Sequence, residues 1–154
     1  MTGVQTCALP IFTAPQQTDA WTGRGFAHFH LKQWEAAITD FSRAIELAPQ
    51  THTNWFHRGL AYINLGQWEK AAADFSKATE LSPDHTDSWY QRGLVQAQLQ
   101  RPAEAVTYLR RAVEQDVFYA GPLKTDDKLD PIRATEDFKK LLTELEGKDK
   151  KGSR

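Results

Sequence analysis

The sequence predicts an all-α fold, a solenoid of three helix pairs closed at its C-terminal end by a single helix. Three observations carry this. A pattern of aromatic, small and proline residues returns every 34 residues. Within each unit Trp, Phe and Leu recur at i, i+3, i+4 spacing, the stripe of an amphipathic helix. Pro49 and Pro83 stop the second helix of a unit, because proline lacks the amide donor and clashes with the preceding turn. One such pair cannot bury its apolar face alone, so stacked neighbours share a continuous core.

The opening stretch stands apart. Residues 1–11, MTGVQTCALPI, hold the only methionine and the only cysteine, Met1 and Cys7. Back-translated with GTG as the start codon, they resemble a widely used DNA-sequencing adaptor, and one further adaptor base fits the Phe12 codon. We expect an artefact, to be set aside in reading the fold. Without Cys7 there is no disulfide framework and no zinc thiolate site. Ala14-Pro15-Gln16 lies one period before Ala48-Pro49-Gln50, so residues 12–17 are expected to be the remnant of an upstream repeat.

The units span residues 18–51, 52–85 and 86–119. Trp21, Trp55 and Trp89 recur in register, as do Arg24-Gly25, Arg58-Gly59 and Arg92-Gly93. Ala37, Ala71 and Ala105 follow, then Phe41, Phe75 and Leu109, then Ala44, Ala78 and Ala112. Glycine on the first helix opposite alanine on the second lets the pair cross closely. LKQW and LGQW supply the turn between them. Asp40 and Asp74 share a position that Tyr108 takes in the third unit. Two pairings are open: between units, Asp40 to Arg58 and Asp74 to Arg92, leaving Arg24 without a partner, or within each unit.

After the third unit, residues 120–134 carry Gly121, Pro122, Pro131 and mixed charge, and read as a loop with at most a short helical turn. A capping helix is predicted over 135–146. Thr135 serves as N-cap, Glu136 and Asp137 fill the first turn, Phe138, Leu141, Leu142 and Leu145 form one apolar face, and Gly147 ends it. Residues 147–154 read as a disordered tail.

The recurring residues resemble the tetratricopeptide (TPR) signature of Trp, Gly, Tyr, Ala, Phe, Ala and Pro. The second unit matches best, with Trp55, Gly59, Tyr62, Ala71, Phe75, Ala78 and Pro83, while Arg58 replaces the usual Leu. His28 and Gln96 stand where Tyr is expected, and Val117 replaces the final Pro of the third unit. The resemblance implies a right-handed α-solenoid whose first helices line a concave groove for an extended peptide or a partner helix. Carried over by position, the groove residues are Phe26, Phe29 and His30, then Phe56, His57, Leu60 and Asn64, then Tyr90, Gln91, Leu94 and Gln98. Phe26, Leu60 and Leu94 are equally suited to packing between neighbouring first helices. This set lacks the Lys, Asn and Arg pattern by which some family members grip a C-terminal carboxylate in chaperones.

Composition points to the same class of function. With 19 Lys+Arg against 20 Asp+Glu the net charge is -1, which directs the reading away from nucleic acid and membrane surfaces and toward a protein or peptide partner. No run approaches the roughly 18 apolar residues of a spanning helix. A cytoplasmic scaffold without cofactor or metal is expected. His28 and His30 lie two apart, which on a helix points them to different sides, and His28 is read as a core substitute for Tyr. No phosphate loop, nucleophile elbow or kinase motif appears in the chain. A second reading rests on resemblance alone: Leu129-Asp130-Pro131-Ile132-Arg133 with Asp137-Phe138 and Leu141-Leu142 is similar to the ends of large bacterial proteins in which repeats follow a serine/threonine protein kinase. That implies the partner-binding tail of a longer kinase.

Overall fold

A computed structural model describes the backbone of residues 14–152 and the side chains of 17–147. The adaptor-like residues 1–11 and the last two residues of the expected tail lie outside that range. Six helices form three antiparallel pairs: α1 (Ala14–His30) with α2 (Trp34–Leu47), α3 (His52–Asn64) with α4 (Trp68–Leu81), and α5 (Thr86–Gln98) with α6 (Pro102–Gln115). Each pair packs on the next through the second helix of one and the first helix of the other, giving a right-handed α-solenoid. No helix among the described residues is long and apolar enough to cross a membrane.

Ala14-Pro15-Gln16 is helical. It opens α1, whereas its counterpart Ala48-Pro49-Gln50 forms the turn between α2 and α3. A proline in the first turn of a helix costs nothing, since the amide it lacks has no intrahelical partner there.

The pairs cross closely because the first helix offers no side chain at the crossing. A Cβ on Gly59 would stand 3.0 Å from the Phe75 ring, and one on Gly93 only 2.6 Å from Leu109 Cγ. Phe41, Phe75 and Leu109 therefore bury completely against the glycines. The turn inside each pair puts one residue in the left-handed region: Lys32 at φ 58, Gly66 at φ 68 and Gln100 at φ 56. Only the second unit has glycine there. Lys32→Gly and Gln100→Gly are each expected to raise stability by about 0.5–1 kcal/mol, as relief of left-handed strain outweighs the entropy of glycine. Urea unfolding midpoints of the two variants check this, and a lowered midpoint in both would refute it.

The arginine–aspartate pairs form within units. Arg24 grips Asp40 through Nε and Nη2, both 2.7 Å, and Arg58 grips Asp74 in the same way at 2.8 Å. The two positions face each other across one hairpin, which rules out the pairing between units and gives Arg24 its partner. Arg58 also donates from Nη1 to Ser42 Oγ at 2.9 Å, tying the second unit to the first. In the third unit Arg92 lies over the Tyr108 ring at 4.0 Å and donates to Thr79 Oγ1 at 2.9 Å.

Beyond α6 the expected loop is a chain of short helical turns. A 3-10 turn at Val117–Ala120 leads into α7 (Pro122–Thr125), a second 3-10 turn at Asp127–Leu129 and α8 (Asp130–Arg133). Both prolines that suggested a loop sit at helix starts. Asp116 and Asp126 accept the backbone N–H of Phe118 and Lys128, each at 2.9 Å. Arg133 donates to the carbonyls of Lys124 (2.8 Å) and Asp126 (3.0 Å). These bonds hold Leu123, Leu129 and Ile132 fully buried beside Tyr90, Leu94 and Leu109.

The final helix, α9 (Glu136–Gly152), packs on α6. It buries Phe138 and Leu141 completely, with Leu142 and Leu145 partly covered. It runs through Gly147 without ending there, so the backbone of residues 147–152 is helical where a disordered tail is predicted. Thr135 does not cap it by accepting an amide; its hydroxyl donates back to the Ile132 carbonyl at 2.7 Å.

Candidate partner-binding groove

The first helices α1, α3 and α5 stand side by side, and the positions predicted to face a partner divide into three groups. One is an aromatic cluster between α1 and α3. His57 meets Phe26 edge to face at 4.5 Å and Phe29 at 6.0 Å, while Phe29 also rests on Trp34 at 5.1 Å. Phe26, Phe29 and His57 are all half-buried, so each keeps part of its ring open. His30, beside Phe29, is exposed; of the other predicted positions Asn64 is exposed and Leu60 and Gln91 are half-buried. Asn64 Nδ2 donates to the Leu60 carbonyl at 2.9 Å, which leaves its Oδ1 as an acceptor.

A second group is buried. Phe56 is 9% exposed and packs on Phe75, His57 and His85. Tyr90 at 6% and Leu94 at 2% belong to the core that the C-terminal turns close. These three are corrected from partner-binding to packing residues. At first-helix positions facing the next unit, an apolar side chain finds a helix to bury against, and for Tyr90 and Leu94 the C-terminal segment plays that part. Tyr90 keeps its hydroxyl satisfied by donating to Asp126 Oδ2 at 3.0 Å, and its pKa is raised by burial and by the Asp126 charge.

The third group is Gln98 alone. Its Nε2 donates to the Lys128 carbonyl at 2.7 Å, so it fastens the C-terminal segment to α5. The open part of the groove therefore runs over the first two units and Gln91. His28, read as a core substitute, is only half-buried: its Nδ1 lies 2.5 Å from Gln33 Oε1 and its Nε2 3.7 Å from Asp40. The signal that separates buried from open positions is the C-terminal segment, whose place in the stack no periodicity reveals.

His57 Nδ1 lies 2.8 Å from the Thr53 carbonyl. A carbonyl can only accept, so Nδ1 carries the proton and Nε2 is the free acceptor of the cluster. Burial among the rings holds its pKa below the ordinary 6.5; the Thr53 bond works against this, and nearby His85, His30 and His52 add to the lowering. His85 is lowered as well, first by burial and then by His52.

A folded pKa below the unfolded one means that the unfolded chain binds more protons in the window just under 6.5. Stability contributed by the neutral rings is complete above that value and declines as the pH falls. His57→Gln, which places the residue of the third unit in the second, is expected to flatten part of this decline. Melting temperatures at about pH 7.5 and about pH 5 measure it. A decline as steep as in the unaltered chain would refute the assignment.

Models of the tetratricopeptide repeat match residues 18–51 and 56–120. No curated protein matches the chain at a significant level. Among solved structures the chain is similar to the Arabidopsis OM64 TPR domain, at 20% identity over 86% of this chain and 97% of that one, with a TM-score of 0.67. MamA superposes with a TM-score of 0.73 at 13% identity, over 90% of this chain and 82% of that one. The first TPR of Spaghetti (RPAP3), solved with the HSP90 peptide SRMEEVD, gives 0.65 at 18% identity, over 86% and 92%. At such identities these likenesses speak for the fold. With both stretches of repeats matched and the helix pairs stacked as such repeats stack, the chain belongs to the tetratricopeptide repeat family.

Proposed function

We propose that the chain is a non-catalytic interaction scaffold that binds an extended peptide or a partner helix across α1 and α3. The observation that carries this is the cluster of Phe26, Phe29 and His57, three partly open rings around one free imidazole acceptor. An apolar partner side chain gains by covering such rings, and the acceptors of His57 and Asn64 fix the partner's backbone amides. The first TPR of Spaghetti takes an HSP90 peptide, and the second TPR domain of human RPAP3 takes the HSP70 peptide SGPTIEEVD, which supports a peptide ligand here. The open positions hold no Lys or Arg, so the ligand is apolar and aromatic in character and is not held by a terminal carboxylate.

A display library of random peptides of roughly 12 residues, panned on the full chain, tests this. Selected peptides are expected to share an aromatic or branched apolar residue and to lose at least tenfold in affinity for Phe29→Asp. Equal binding to both proteins would refute the site.

A further inference from the structure

The third unit differs from the first two on the side of the solenoid turned away from the groove. Trp89 lies two residues before Gln91 and nine before Gln98, which at 100° per residue places it on the opposite side of α5 from both. In the first two units the second helix meets this side with Asp40 or Asp74, each held by an arginine, followed by the surface pairs Arg43–Glu46 (2.5 Å) and Lys77–Glu80 (3.1 Å). In the third unit every one of these features changes. Tyr108 replaces the aspartate, Arg110 replaces Ser42 and Ser76, and no ion pair joins Arg111 to Glu114 among the described residues. Arg110 turns instead to Glu144 of α9.

These changes open a pocket of about 440 Å³ lined by Trp89, Thr107, Tyr108, Arg110, Arg111 and Glu114. Its lining includes the indole of Trp89 and the ring of Tyr108, neighbours whose centroids are 6.0 Å apart and whose planes are tilted by 34°. Arg92, stacked on Tyr108, and the bond from Trp89 Nε1 to the Pro83 carbonyl (2.8 Å) hold both rings in place. The volume lies within the range of small-ligand sites, roughly 300–1,000 Å³. Its lining includes exposed Arg111, which has no ion-pair partner among the described residues, and, one turn on along α6, the carboxylate of Glu114.

We propose that this pocket is a second docking site, separate from the groove, for a short peptide in which an aromatic side chain is followed by one carboxylate. The aromatic group packs against the open edges of Trp89 and Tyr108, where offset or edge-to-face ring contact is favourable. The carboxylate meets Arg111, whose planar guanidinium suits bidentate pairing. Glu114 repels a second acid and accepts a backbone amide, which fixes the direction of the peptide.

Nitrogen-15 NMR of the full chain with the blocked dipeptide N-acetyl-Phe-Asp-amide tests the proposal. Saturable shifts are expected at the Trp89 indole N–H and at the Thr107 and Arg111 amides, with at least fivefold weaker binding of N-acetyl-Phe-Asn-amide. Tyr108→Asp gives Arg92 the aspartate its counterparts have, so it is expected to fold while losing the shifts. Arg111→Glu, a surface change, is expected to weaken binding by at least fivefold. The site is refuted if the Trp89 indole does not respond, if the Asn dipeptide binds equally, or if either variant binds as the unaltered chain does.

Discussion

Replacing Phe138 with alanine is expected to cost about 3–5 kcal/mol, the usual penalty for emptying a fully buried phenylalanine site. Against a total of about 5–15 kcal/mol for a domain of ordinary stability, this removes a large share of the margin that keeps the chain folded. Phe138 is completely buried, and it closes the core that Leu109, Leu123, Leu129 and Ile132 share with the third unit. The loss is therefore expected to reach α5 and α6, not α9 alone. Urea unfolding followed by circular dichroism, with Phe118→Ala as the control, gives the measurement. Phe118 is 73% exposed, and its truncation is expected to shift stability by no more than about 0.5 kcal/mol. A loss below about 1 kcal/mol for Phe138→Ala would mean that α9 merely decorates the end of the stack.

Asp74→Ala is expected to be nearly as harmful, at about 3 kcal/mol, because it leaves a largely buried guanidinium without its counter-charge. The Arg58 side chain is 16% exposed; burial lowers its pKa, but the bond to Asp74 and the interactions with the Asp74 and Tyr62 side-chain charges together hold it above the ordinary value. Asp40→Ala removes the same bond one unit earlier, yet the Arg24 side chain is 56% exposed and turns to water. Its loss is therefore expected to be clearly smaller. Replacing both partners, Arg58→Met with Asp74→Leu, is expected to recover most of the stability, since no uncompensated charge remains. Equal losses for Asp40→Ala and Asp74→Ala would show that burial does not set the value of these pairs.

How far the sequence reveals these features follows from their spacing. Trp, Gly, Ala and Phe at a fixed period of 34 display all six repeat helices, because each unit meets the same packing demand. The partner of Arg58 is not legible in that way. Asp40 and Asp74 lie 18 residues before and 16 after it, and only the geometry of the hairpin selects the second. Residues 117–133 escape notice for another reason. Leu123, Leu129 and Ile132 follow no helical period, since the segment turns between each of them and relies on Asp116, Asp126 and Arg133 to satisfy its backbone. That same segment removes Tyr90, Leu94 and Gln98 from the groove, so a site assigned by repeat position is too long at its C-terminal end. The left-handed turn was legible only at Gly66; Lys32 and Gln100 adopt it without advertising it.

The tie between Tyr90 and Asp126, the most distant pair joined by a hydrogen bond above, spans only 36 residues. Nothing near the start of the described chain waits for anything near its end. A topology of such low contact order folds in microseconds to milliseconds, and each hairpin can nucleate on its own and recruit its neighbour. The same locality lets the array open from its ends while its middle stays shut. Amide hydrogen exchange should therefore grade along the chain, slowest in α3 and α4, where both flanks are covered, and faster toward α1.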